Sequence, residues 1–162
     1  MLTLGIDPGT ARLGFGFVDD TDGLRCLEFG VVETPSAQAM PGRLLVLYVA
    51  IEALIARHRP DAIAVEQLFF ARNVTNALAV GQARGVVLLA AARASLEVAE
   101  YTPSEVKQAV AGYGKADKAQ MGEMVRITLR LAQVPHPDDA ADALAVALCH
   151  VQTAPFKLRV GA

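Results

Sequence analysis

The chain has 162 residues, 53% of them hydrophobic, with a formal charge of -2 and a pI near 5.9. That is enough chain for one core, which would bury roughly 70% of its unfolded surface, and it predicts one domain over 1–155 with a short flexible tail over 156–162. The overall charge does not draw such a chain to nucleic acid, so any basic patch has to be found locally; with no secretory leader pattern and no apolar run of bilayer length, the expectation is a cytoplasmic protein without membrane contact.

In chain order, MLTLGID alternates inward and outward positions, PGT turns, and LGFGFVDD returns, so residues 2–19 read as a two-stranded hairpin. After the TDG turn, LRCLEFGVVET gives a third strand, with Cys26, Phe29 and Val31 or Val32 as its candidate core positions. A helix follows in PGRLLVLYVAIEALIARHRP: Leu44, Leu47, Tyr48, Ile51, Leu54 and Ile55 fall at helical spacing, basic residues fill the last turn and Pro60 stops it. DAIAVEQ is a short strand. A long helix starts at Asn73, with apolar and small residues on more than one face, so it needs two partners. EVAEYT is the fifth strand, and three helices follow, the last opening at PHPDDAADALAVALCH. This order predicts an α/β fold, a five-stranded mixed sheet flanked by helices, with functional residues at the carboxyl ends of its central strands. The two cysteines, Cys26 and Cys149, are far apart in sequence and lack CxxC spacing, which points to buried thiols rather than to a disulfide or a zinc site.

Asp7 and Glu66 each close an apolar strand, where an unpaired charge costs several kcal/mol. The last helix begins with three aspartates within five residues. One would serve as a cap; Asp139 and Asp142 are three apart, Asp138 and Asp142 four apart, and either pair shares a helical face and repels. Acidic side chains from three segments, with no histidine or cysteine cluster, suit Mg²⁺ or Mn²⁺. Two such ions would serve an in-line displacement at phosphorus, with His136 nearby as a surface loop residue.

GIDPGTARLGFG, VEQLFFARN, GQARGV, VKQAVAGYGKADKAQM and DAADALA, taken together and in this order, resemble the RuvC family of bacterial Holliday-junction resolvases over nearly the whole chain. The resemblance implies an RNase H-like fold, a homodimer, and Mg²⁺-dependent nicking of two opposed strands of four-way junction DNA. Carried over by motif, its catalytic and metal-binding carboxylates fall on Asp7, Glu66, Asp139 and Asp142, which selects Asp139 over Asp138. It places Lys107 and Lys118 beside the scissile phosphate and Phe69 against bases at the crossover; Arg72, Asn73 and Lys115 are read as further substrate contacts. It also implies the branch-migration proteins RuvA and RuvB as partners. One departure is Ala11 before Arg12, where relatives often set the basic residue directly after the Ser or Thr, so no phosphate role is assigned to Arg12.

GIDPGT alone would equally suit an actin-like or sugar-kinase ATPase fragment, but residues 67–162 offer no second phosphate loop. A non-catalytic junction-binding module would leave the carboxylates repelling one another.

Overall fold

The computed structural model describes residues 1–67 and 74–160, with side chains described for all of these except 74–76 and 155–160. Strands β1 (Leu2–Asp7), β2 (Arg12–Asp19) and β3 (Arg25–Glu33) are followed by helix α1 (Met40–His58), β4 (Ala62–Glu66), α2 (Val74–Arg93), β5 (Glu97–Tyr101), α3 (Pro103–Ala111), α4 (Lys118–Thr128) and α5 (Asp138–Val160). The predicted mixed sheet is present in the order β3-β2-β1-β4-β5, with β1 to β3 antiparallel and β4 and β5 parallel to β1. The helix expected to begin at Asn73 is described from Val74. No helix among the described residues is long and apolar enough to cross a membrane.

The two faces of the sheet are built from different residues. Leu4 and Ile6 of β1, Leu13, Phe15 and Phe17 of β2 and Ile63 and Val65 of β4 pack with Leu47, Ile51 and Leu54 of α1 and Val87 of α2. On the other face the alternating positions are small. Gly16 pairs with Gly5, Gly5 with Ala64 and Ala64 with Ala99, so a row free of bulky side chains crosses four strands. The alanine-rich helix α5 lies along this row, where a Cβ on Gly5 would collide with the Ala143 carbonyl and one on Gly14 with the Asp139 carbonyl. Helix and sheet therefore approach at backbone distance, which only glycine permits.

Phe29 is not a core residue: it is 36% exposed, on an edge strand whose register shifts at Phe17/Val18. At the sheet edge one flank of the strand has, among the described residues, no neighbouring strand to cover it. Cys26 and Val32 do pack, against opposite cores, and Cys149 is fully buried. The basic end of α1 clamps this edge, with Arg57 Nη2 donating to both Glu28 carboxylate oxygens at 2.6 and 2.8 Å and His58 Nε2 at 2.6 Å from Oε2.

Candidate active site

The sheet alternation decides where the carboxylates go. Because Ile6 and Val65 are paired and face α1 and α2, the next residues, Asp7 and Glu66, leave adjacent parallel strands side by side on the α5 face. Asp7 pairs with Gly14 across β2, and Gly14 is the position on which the Asp139 backbone rests. The missing Cβ thus brings the first turn of α5 down onto the end of β1. Pro137 immediately precedes the helix and its carbonyl accepts from Ala140 N at 3.0 Å. The surplus aspartates divide: Asp139 is turned to Arg12 and Asp142 to Lys118, with Asp138 more exposed on the Lys118 side.

Two capped helices set the lysines. Thr102 and Glu105 form a capping box at the start of α3, and Asp117 and Gln120 form another that starts α4 at Lys118. Lys118 Nζ lies 3.2 Å from Asp138 Oδ2 and 3.3 Å from Asp142 Oδ2. Lys107, one residue after the buried Val106, joins Glu66, Lys118 and Asp142 in lining a cleft of about 250 Å³. Lys115 is exposed between α3 and α4, and no described contact joins it to the carboxylates. His136 is an exposed loop residue bordering a second cleft with Asp138 and Asp142. Phe69, Arg72 and Asn73 lie outside the described residues.

Electrostatics mark Asp7 as the centre of negative charge. Burial and then the charges of Asp142, Asp139 and Glu66 push its carboxyl up to about 7, with Lys118 opposing. Burial and Asp142 raise Glu66, against the pull of Lys107. Asp142 is also raised, by burial, although Lys118 works against it. Among the described residues no hydrogen bond or ion pair reaches the carboxyl of Asp7 or Glu66, and no three His, Cys, Asp or Glu side chains already converge as an ion site. Oxygen-only donors around the carboxyls of Asp7 and Glu66, which no ion pair among the described residues reaches, fit a hard divalent cation. Arg12 pairs with Asp139, and Lys118 with Asp138 and Asp142.

The four carboxylates differ in their cationic partners. Among the described residues Asp7 and Glu66 feel Lys118 and Lys107 without an ion pair, whereas Asp139 and Asp142 are paired. Arg12 Nη1 donates to Asp139 Oδ2 at 3.2 Å, a contact 127 positions apart that no local pattern signals. Sequence reasoning also missed the support of the first turn. Thr34 Oγ1 donates to the Thr10 carbonyl, Thr34 N donates to Ala11 O at 3.1 Å, and Arg43 Nε donates to Thr34 Oγ1 at 2.8 Å.

The model of the family "Crossover junction endodeoxyribonuclease RuvC" matches residues 3–150. The chain belongs to the RuvC family. Among curated relatives, the RuvC of Chloroflexus aurantiacus is 59% identical over 162 residues, 99% of each chain, and that of Heliobacterium modesticaldum 57% identical over 150 residues, 92% of this chain and 93% of the other. Both carry the family's name as crossover junction endodeoxyribonucleases. A solved structure of Thermus thermophilus RuvC in complex with a Holliday junction substrate superposes with a TM-score of 0.91 at 40% identity, covering 96% of each chain. The yeast mitochondrial Holliday junction resolvase Ydc2, 15% identical with a TM-score of 0.65 over 98% of this chain and 84% of its own, shares the fold. The RNase H-like sheet and the endonuclease activity expected from the motifs therefore hold, and the ATPase-fragment reading of GIDPGT falls.

Proposed function

We propose that this RuvC-family endonuclease resolves four-way DNA junctions as a homodimer, hydrolysing one phosphodiester in each of two opposed strands with Mg²⁺. The observation that carries the reading is the raised Asp7 carboxyl, set among Glu66, Asp139 and Asp142 beside a cleft walled by Lys107 and Lys118. Those four carboxylates would hold two Mg²⁺ ions, with Mn²⁺ as a substitute. Bound there, divalent metal supplies charge stabilisation at phosphorus and lowers the pKa of water. The chain's own residues do the rest. Lys107 and Lys118 neutralise the phosphate entering the cleft, and Lys118 exchanges Asp138 and Asp142 for it. Asp7, raised by burial and by its acidic neighbours, would hold the metal as a carboxylate, the form that positive charge favours.

The homodimer is supported by α2, where Leu78 is 65% and Leu89 55% exposed and Gly85 opens onto free space. A second copy covering this stripe would supply the second active site that paired incisions require. From the family resemblance, Phe69 stacks on or wedges between bases at the crossover and RuvA and RuvB are the partners; Arg72, Asn73 and Lys115 are further substrate contacts.

The test uses a synthetic mobile four-way junction with and without Mg²⁺. Asp7→Asn is expected to bind the junction and to lose nicking by at least about 10³-fold. Persisting nicking would remove Asp7 from the site, and wild-type nicking in excess chelator would remove the metal.

A further inference from the structure

Arg12 is forked between two carboxylates. Its Nε donates to Glu33 Oε1 at 3.2 Å, its Nη2 lies 3.2 Å from the same oxygen, and its Nη1 donates to Asp139 Oδ2 at 3.2 Å. Arg12 and Glu33 are a cross-strand pair between β2 and β3, so strand pairing keeps Glu33 beside the guanidinium. Both arms, at 3.2 Å, are longer than the 2.7–2.9 Å or so of a tight charge-assisted bond, and the Arg12 side chain is 45% exposed. The fork is therefore loose and can exchange.

What it can exchange for lies beside it. Arg12 and Asp139 border a cleft of about 530 Å³ with Thr10 of the first turn and Ala79 and Val80 of α2. Among the described residues lining it Arg12 is the sole basic side chain, and neither Lys107 nor Lys118 is among them. A phosphate of a DNA backbone in this cleft meets one guanidinium, the group best suited to a two-point grip on it.

We propose that Arg12 is a latch: it keeps Asp139 out of the metal-binding set until a backbone phosphate entering the Arg12 cleft draws the guanidinium away, so that substrate and metal bind cooperatively. Arg12 is a positioning residue here, acting through Asp139. Linkage then runs both ways, since metal that captures Asp139 frees Arg12 for phosphate. The departure at Ala11 and Arg12, which weakened a direct phosphate role on sequence grounds, is what this geometry uses. The inference rests on the metal-dependent reading of the site.

The experiment measures Mn²⁺ binding to the full chain by electron paramagnetic resonance, without DNA and with a four-way junction. Arg12→Ala is expected to bind Mn²⁺ about fivefold more tightly without DNA, the scale of one partly exposed ion pair, and to lose a like factor from the gain that the junction confers. In wild type, the Arg12 Nε–H resonance, assigned by its loss in Arg12→Lys, shifts on adding Mg²⁺ and again on adding a short duplex. Mn²⁺ binding that depends on Asp7 but is indifferent to Arg12, or a wild-type resonance unmoved by both ligands, overturns the latch alone. Binding unchanged in Asp7→Asn overturns the metal reading and the latch with it.

Discussion

The two faces of the sheet solve the same packing problem differently. Toward α1 and α2, large side chains such as Leu4, Phe17 and Ile63 fill the gap between helix and sheet, and apolar residues remain at the outer surface of both helices. Toward α5 the gap is removed: glycines and alanines meet an alanine-rich helix at backbone distance. A bulky interface tolerates small shifts, because side chains can repack. A backbone contact fixes position, and the carboxylates sit on that face. The lesson is that the site is held by what the sheet lacks under α5.

Substitutions on the two faces can break this contrast. Leu47→Ala opens a cavity in the bulky core and is expected to cost about 2–5 kcal/mol while leaving the turnover of folded protein within about twofold. Gly14→Ala puts a methyl group into the Asp139 carbonyl and lifts the first turn of α5 off Asp7. Its expected cost is about 2 kcal/mol in stability and about 100-fold in turnover, the scale of an ångström-sized misplacement. Chemical denaturation beside single-turnover cleavage separates the two, and equal turnover in both variants would end the argument from close approach.

The site face should also carry a pH signature that the other lacks. With its carboxyl at about 7 in the fold and 3.8 as the ordinary value, Asp7 loses its proton first in the unfolded chain. Metal-free stability therefore falls as pH rises from about 4 to about 7, and the whole penalty is present above that. Asp7→Asn removes the charge, so it is expected to stabilise the metal-free protein at pH 8 by roughly 2–4 kcal/mol and to change little at pH 4. Mg²⁺ should stabilise wild type and not the variant. A melting-temperature difference independent of pH would mean that Asp7 is ordinary.

On the opposite face, Leu89→Glu places a charge in the exposed stripe of α2. Sedimentation is expected to show the dimer weakened by about 10-fold or more, with monomer stability changed by less than about 0.5 kcal/mol because the position is open in the single chain. Unchanged association would assign the stripe to something other than a second copy.

Much of this was legible in one sequence, for physical reasons. All ten elements announce themselves through period and punctuation: the alternation of LTLGID, the Pro60 stop, the Thr102 and Asp117 caps. Asp7 and Glu66 stand out as charges ending apolar strands, and the aspartates of α5 as more than a cap needs. Phe29 was misplaced because one sequence does not say that its strand is the sheet edge, where a large apolar side chain stays partly exposed. Arg12–Asp139 and Lys118–Asp142 were not legible because they join segments far apart in sequence, and motif spacing says nothing about which cation meets which carboxylate. Nor do Gly5, Gly14 and Gly16 declare a close approach; in a strand they look like weak points until α5 is laid over them.

The smallest expected effect tests how far the rigidity of the α5 face extends into the first turn. Thr34 ties that turn to β3 through its hydroxyl on the Thr10 carbonyl and passes the tie to Arg43, while its backbone N–H holds Ala11 independently. Thr34→Val keeps shape and backbone bond and leaves the Thr10 carbonyl without its donor, so the expected loss is about 1 kcal/mol in stability and a few-fold in turnover. Thr34→Ser restores the hydroxyl and should restore both. A turnover loss that Ser does not rescue would mean that the methyl packing, not the hydrogen bond, holds the turn, and the close approach under α5 would then be the sole device fixing Asp7.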